Sequence, residues 1–105
     1  MKKIIGVASC PAGIAHTYMA AEAIELAGRK RGFEVKIETH GAGGVENRLT
    51  EEDIRTAEAV ILAIDTNTSK EKFRNLPLIE VSVGYAIRNA DKIIQKVVDN
   101  ELTKY

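Results

Sequence analysis

Charge of one sign is absent from this chain: 15 Lys and Arg offset 15 Asp and Glu. No excess field therefore draws it to DNA, RNA or an anionic membrane surface. Long apolar runs are absent as well. The longest, Ala59-Val60-Ile61-Leu62-Ala63-Ile64, falls far short of the roughly 18 residues that span a bilayer, so no direct membrane insertion is expected. Met1-Lys2-Lys3 has the charge of a signal n-region, but residues 4–8 are too few for its apolar core and read better as a strand. Cysteine is nearly missing. The single Cys10 excludes a disulfide framework and is at ease in a reducing cytosol, where the chain is placed. The two histidines, His16 and His40, lie far apart, so there is no zinc-ligand spacing and neither a metal nor a cofactor is implied. Repeats, low-complexity tracts and linkers are missing too. A length of 105 residues with 45% apolar content then predicts one domain, residues 1–105.

What is present alternates between two periodicities. Residues 3–9 are nearly all apolar after the lysines, as in a strand covered on both faces of a parallel sheet. A helix follows, to about Arg31, with Met19, Ala23, Leu26 and Ala27 as its apolar stripe and Ala20 and Ile24 beside it. Glu25 and Arg29 form a favourable pair on the opposite face, and Gly32 is the expected C′ residue. Residues 33–39 alternate, which predicts a strand with one less buried face, at an edge. His40-Gly41-Ala42-Gly43-Gly44 reads as a flexible loop. Thr50 is placed to cap a helix whose first turn, Glu51-Glu52-Asp53, complements the dipole, with Leu49 and Ile54 as a staple. Residues 58–64 form a second continuous apolar strand, and residues 77–81 a short edge strand with Pro77 at its first position. Ser82 caps a closing helix with a break near Asn89-Ala90-Asp91, and residues 100–105 are expected to fray. The series predicts an α/β, Rossmann-like domain: a four-stranded parallel sheet of order 2-1-3-4 with helices on both faces.

The residues with chemistry gather at the first strand-to-helix junction, Cys10-Pro11-Ala12-Gly13-Ile14-Ala15-His16-Thr17. The first N–H groups of a helix lack intrahelical partners and carry the positive end of its dipole. A thiol placed there is favoured as thiolate, the nucleophilic form, and the same donors hold a phosphate. Pro11 turns the chain without donating, and Gly13 permits close backbone approach. The amides of Ala12, Gly13, Ile14, Ala15, His16 and Thr17 form a candidate anion nest, with the Thr17 hydroxyl within the same turn. Small side chains at 12, 13 and 15 leave room for a phosphoryl group. The plainer reading is that a lone cysteine is a small buried hydrophobe, and that His16 merely orients the loop. Two further residues belong to the same sheet edge. His40 follows the second strand, and Asp65, after the third strand, stands where a general acid would, though it is also an ordinary strand-ending residue.

Two reactions suit such a loop. Small cysteine phosphatases use Cys, five residues, Arg, then Ser or Thr; here the spacing is kept, but His16 stands in place of the arginine and cannot clamp an anion bidentately. Arg29, Arg31, Arg48 and Arg55 are all elsewhere. A relay that accepts and passes on a phosphoryl group needs no water activation and agrees better with the missing arginine.

The stretch Val7-Ala8-Ser9-Cys10-Pro11-Ala12-Gly13-Ile14-Ala15-His16-Thr17-Tyr18-Met19-Ala20-Ala21-Glu22-Ala23 resembles the phosphocysteine loop and first helix of the fructose-class enzyme IIB components. These belong to the bacterial phosphoenolpyruvate-dependent sugar phosphotransferase system. The resemblance continues through Glu38-Thr39-His40-Gly41, Glu46-Asn47-Arg48-Leu49-Thr50-Glu51-Glu52-Asp53-Ile54 and Ala59-Val60-Ile61-Leu62-Ala63-Ile64-Asp65. Ala12 and His40 depart from it, standing where the family often has Thr and Gln. It implies a protein-phosphohistidine–sugar phosphotransferase activity in which Cys10 takes a phosphoryl group from a IIA component. Cys10 then passes it to fructose or a related hexose held by the membrane component IIC. It also implies a cytoplasmic chain that meets the membrane through IIC, and the Met1 start favours a separate subunit or a terminal domain.

Overall fold

The computed structural model describes residues 2–11 and 14–105. In order along the chain stand β1 (Lys3–Ser9), α1 (Ile14–Lys30), β2 (Glu34–Gly41), β3 (Gly44–Glu46), α2 (Glu51–Arg55), β4 (Ala57–Ile64), a single 3-10 turn (Glu71–Phe73), β5 (Pro77–Val81), α3 (Val83–Val98) and β6 (Thr103–Lys104). They join in one sheet of order β3-β2-β1-β4-β5-β6. Its middle is the expected parallel array, because β1 lies between β2 and β4 and β4 pairs with β5, all parallel.

The expectation of four parallel strands needs correction at both ends. The glycine segment after β2 is a hairpin: His40 and Gly41 extend β2, Ala42 and Gly43 turn, and β3 returns antiparallel with Thr39 opposite Glu46. Gly44 enters β3 at φ +92, which a residue without Cβ tolerates. The C-terminal residues do not fray. Asn100, at φ 57, reverses the chain after α3, and β6 pairs antiparallel with β5, placing Lys104 opposite Pro77. Neither β2 nor β5 is therefore a bare edge, and the sheet is mixed.

The local signals mostly hold. Thr50 accepts from Asp53 N at 3.0 Å while Asp53 Oδ2 accepts from Thr50 N at 2.9 Å, a complete capping box. Ser82 accepts from Tyr85 N at 3.1 Å, and α3 is kinked at Asn89. Gly32 takes the positive φ of a C′ residue, +88. Asp53 does more than cap: it is reached by Lys36 Nζ at 2.7 Å and Lys3 Nζ at 2.9 Å. These contacts, Lys36 first, with the Thr50 N–H, hold its carboxyl far below the usual carboxylate range and tie α2 to β1 and β2.

Each face of the sheet has its own core. Ile4, Ala8, Val35, Ile37, Ile61 and Ala63 pack beneath α1 and α3, whereas Ile5, Val7, Val60, Leu62 and Ile64 lie under Leu49, Ile54 and the fully buried Phe73. The first helix is rotated from the expected stripe. Ala20, Ala21, Ile24 and Ala27 face the sheet, while Met19 and Leu26 are 50% and 59% exposed. Small residues explain this. Ala8 in β1 shares its core with Ala20, Ala21 and Ala27 of α1, so the face of the helix turned to the sheet is built of small side chains and Ile24, and its two long apolar side chains stand outside.

Candidate functional site

β1 is the central strand, and α1 leaves it where the sheet order reverses between β1 and β4. In parallel sheets ligands gather at this switch point. Cys10 follows the last residue of β1, is half-buried, and packs against the α1/α3 core. The end of β1 is tied to the end of β4, because Asp65 N donates to Ser9 O at 3.0 Å. Thr17 is fully buried in the first turn of α1, whereas Ala15 and His16 are exposed. Ala12 and Gly13 lie outside the described residues, and so does the Ile14 side chain, so the amide nest is placed only through its ends.

The other two candidates sit on either side of this point. In the β1/β2 register His40 is opposite Ser9, one residue before Cys10. Its Nε2 is 2.6 Å from Glu38 Oε2. Asp65 Oδ1 accepts from Val83 N at 3.1 Å and so anchors the start of α3. That bond makes Asp65 an acceptor for the first helical amide of α3, a partner that neither of its sequence readings named.

Sequence reading missed two residues. Glu38 belongs to a strand that alternates, so it was expected on the open face; it is 3% exposed. The chain after β3 returns over it, and Leu49 N donates to Glu38 Oε1 at 2.8 Å. Burial pushes this carboxyl up, but the His40 and Leu49 N–H donors and the charge of Lys72 bring it below its ordinary value. Glu38 is thus an ionised acceptor, and His40 presents Nε2–H to it. The signal available in the sequence was the polar stretch Glu38-Thr39-His40 at a strand end. The second is Arg88, which shares a cleft of about 370 Å³ with His16, Met19, Asp65, Val83 and Gly84. Nothing in the sequence connects position 88 with the cysteine loop; packing of α1 beside α3 does.

Tyr18 ties the loop helix to the β2–β3 hairpin. Its hydroxyl donates to the Glu46 carboxylate, and that bond foremost pushes the phenol up. Gly41 leaves the room it uses, since a Cβ there would stand 2.5 Å from the Tyr18 hydroxyl oxygen and the phenol would have to shift.

The whole arrangement has known counterparts. Residues 5–96 match the family described as "PTS system, Lactose/Cellobiose specific IIB subunit". The "PTS system fructose-like EIIB component 2" of Escherichia coli is 47% identical over 98 residues, which cover 92% of this chain and 92% of that protein. The "PTS system fructose-specific EIIABC component" of Bacillus subtilis is 37% identical over 98% of this chain, which spans 16% of that longer protein. A crystal structure of a domain from the fructose-specific IIABC component of Borrelia burgdorferi superimposes with a TM-score of 0.93 at 39% identity, over 99% of this chain and 98% of that one. The lactose-specific IIB domain of Streptococcus pneumoniae, over 93% of this chain and 95% of its own, reaches only 0.54 at 13% identity, a likeness of fold alone. The family description is therefore broader than the sequence kinship, which lies on the fructose side. This chain belongs to the IIB components of the sugar phosphotransferase system, in their fructose-like class.

Proposed function

We propose that the chain is a phosphoryl carrier in which Cys10 is the nucleophile. The observation that carries this reading is the position of Cys10, half-buried at the carboxyl end of the central strand and followed by the first turn of α1. The thiolate sulfur attacks phosphorus of a phosphohistidine on the IIA donor. A sulfur–phosphorus bond forms, the phosphorus–nitrogen bond breaks, and its electron pair stays on the imidazole. In the second step a sugar hydroxyl oxygen attacks phosphorus and the pair returns to sulfur, while the hydroxyl proton leaves to a base of the acceptor complex. Both transfers are in line, so the work of the protein is positioning and charge stabilisation, by the amides of residues 12–17.

The acceptor is a hexose, fructose or a close relative, held by the membrane component IIC. Relatives whose names join B with C, or A, B and C, support a direct hand-over between these parts. Among the described residues no helix is long and apolar enough to cross a membrane, which agrees with a cytoplasmic chain that reaches the membrane through IIC. His40 with Glu38 and Asp65 are accessory groups at the same sheet edge.

The test is intact mass after incubation with phosphoenolpyruvate, the general phosphotransferase proteins and a fructose-class IIA, beside a thiol-blocked control. One phosphoryl group gained, and lost in the control, is the expected result. No gain with several IIA donors, together with turnover of a chromogenic phosphate ester, would instead make the chain a cysteine phosphatase.

A further inference from the structure

We infer that Arg88 is a phosphoryl-binding residue, supplying from α3 the guanidinium that the cysteine loop lacks; the inference rests on the carrier reading of Cys10 and extends it. Cys10 packs on the α1/α3 side of the sheet, and the cleft holding Arg88 opens on that same side. His16, at the start of α1, and Asp65, whose amide is bonded to Ser9 O, form its wall toward the loop.

The direction of the side chain is what places the charge. Helical side chains lean toward their N-terminus, and residues four apart share a face. One turn before Arg88 stands Gly84, and a Cβ built there would lie 3.2 Å from Arg88 Nη1 and 3.6 Å from Nη2. The guanidinium is therefore folded back over a position without a side chain, toward the end of α3 that meets Asp65. Any larger residue at 84 would push it outward.

Its charge is also uncommitted. Arg29, Arg55 and Arg74 pair with Glu25, Glu52 and Glu71, whereas Arg88 makes no ion pair among the described residues. Asp65 has turned one oxygen to the Val83 amide, and Asp91 lines the neighbouring groove. A planar cation with two parallel N–H donors, in an open cleft whose wall includes His16 of the cysteine loop, matches two oxygens of a phosphoryl group. The substrate class recognised is thus a tetrahedral dianion held next to sulfur.

The experiment uses inorganic phosphate as the probe and the alkylation rate of Cys10 by iodoacetamide as the readout. Phosphate protects Cys10 of the unmodified protein in a saturable way. Arg88→Met raises the half-protecting phosphate concentration about tenfold, the value of one charge-assisted contact, with each protein's rate referred to its own phosphate-free rate. Arg88→Lys restores part of the protection. Arg29→Met, which removes the same charge at the far end of α1, leaves it unchanged. Equal protection of Arg88→Met and the unmodified protein, or no protection of either, overturns the inference. Phosphoryl uptake from the IIA donor separates the two claims. Uptake that fails in the unmodified protein, with Arg88-dependent protection intact, removes the carrier reading and keeps the anion site. Uptake by Arg88→Met at the unmodified rate removes the role of Arg88 and keeps the carrier.

Discussion

The smallest scale is a sulfur atom and the groups around it. Cys10→Ser exchanges a readily ionised thiol for a hydroxyl of nearly the same size, so the fold survives and carriage is lost. Intact mass after the donor incubation is expected to show no added phosphoryl group; stable phosphorylation of that variant at position 10 would contradict the role of Cys10. Glu38 gives a second residue-scale prediction, this time in pH. Its carboxyl is held below its ordinary value, so it favours the folded form above about pH 4.5, and that contribution is lost as pH falls through the lower folded value. Glu38→Gln keeps the shape and removes the charge that holds the His40 and Leu49 N–H groups. It is expected to cost about 2 kcal/mol at pH 7 and less in acid below the folded value, read from urea melts in both conditions. An equal loss at both would show that shape, not charge, holds this corner.

At the scale of elements, the pairing of β1 with its neighbours depends on what one of its positions leaves out. A Cβ on Gly6 would stand 2.2 Å from Ile61 O in β4 and 3.0 Å from Ile37 Cδ1 in β2. The first of these is backbone of a paired neighbour and cannot turn aside. Gly6→Ala is expected to cost about 3 kcal/mol, or roughly 12 °C in Tm for a domain of this size. A melt within a few degrees of the unmodified protein would mean that β1 and β4 separate easily, against their register. The caps behave differently, because each is complete within four residues. Thr50 with Asp53 and Ser82 with Tyr85 form by local geometry alone, which is why their sequence signals were sufficient.

The whole molecule is closed at its two edges by short antiparallel strands. Tyr105 N donates to Leu76 O at 3.1 Å, and its ring lies 5.5 Å from Lys70 Nζ and 5.2 Å from the Arg74 guanidinium carbon. Truncation after Asn100 removes this cover. It is expected to lower Tm by roughly 5 °C, about 1 kcal/mol, and to leave phosphoryl uptake by Cys10 unchanged. The reason is placement: β6 pairs with the first residues of β5, and Cys10 follows the last residue of β1, so they stand at opposite ends of a parallel array. An unchanged Tm would mean that residues 101–105 fray after all.

Two kinds of information were separable in this chain. Sequence alone determined the strand-to-helix junction at Cys10, the order of the four parallel strands, both side-chain caps, the kink at Asn89 and the turn at Gly32. Each of these is written in neighbouring residues, as a period, a cap or a breaker. Tertiary structure decided which side of α1 faces inward, because Met19 and Leu26 lost to the alanines that line the core. It decided that Glu38 is buried, since burial depends on what returns over a strand, here the segment carrying Leu49. It made strands of the glycine segment and the C-terminal residues, whose pairing partners supply the backbone bonds that their own composition does not specify. And it brought Arg88 to the cleft beside His16 and Asp65, a neighbourhood that exists only after α1 and α3 have packed on the same face.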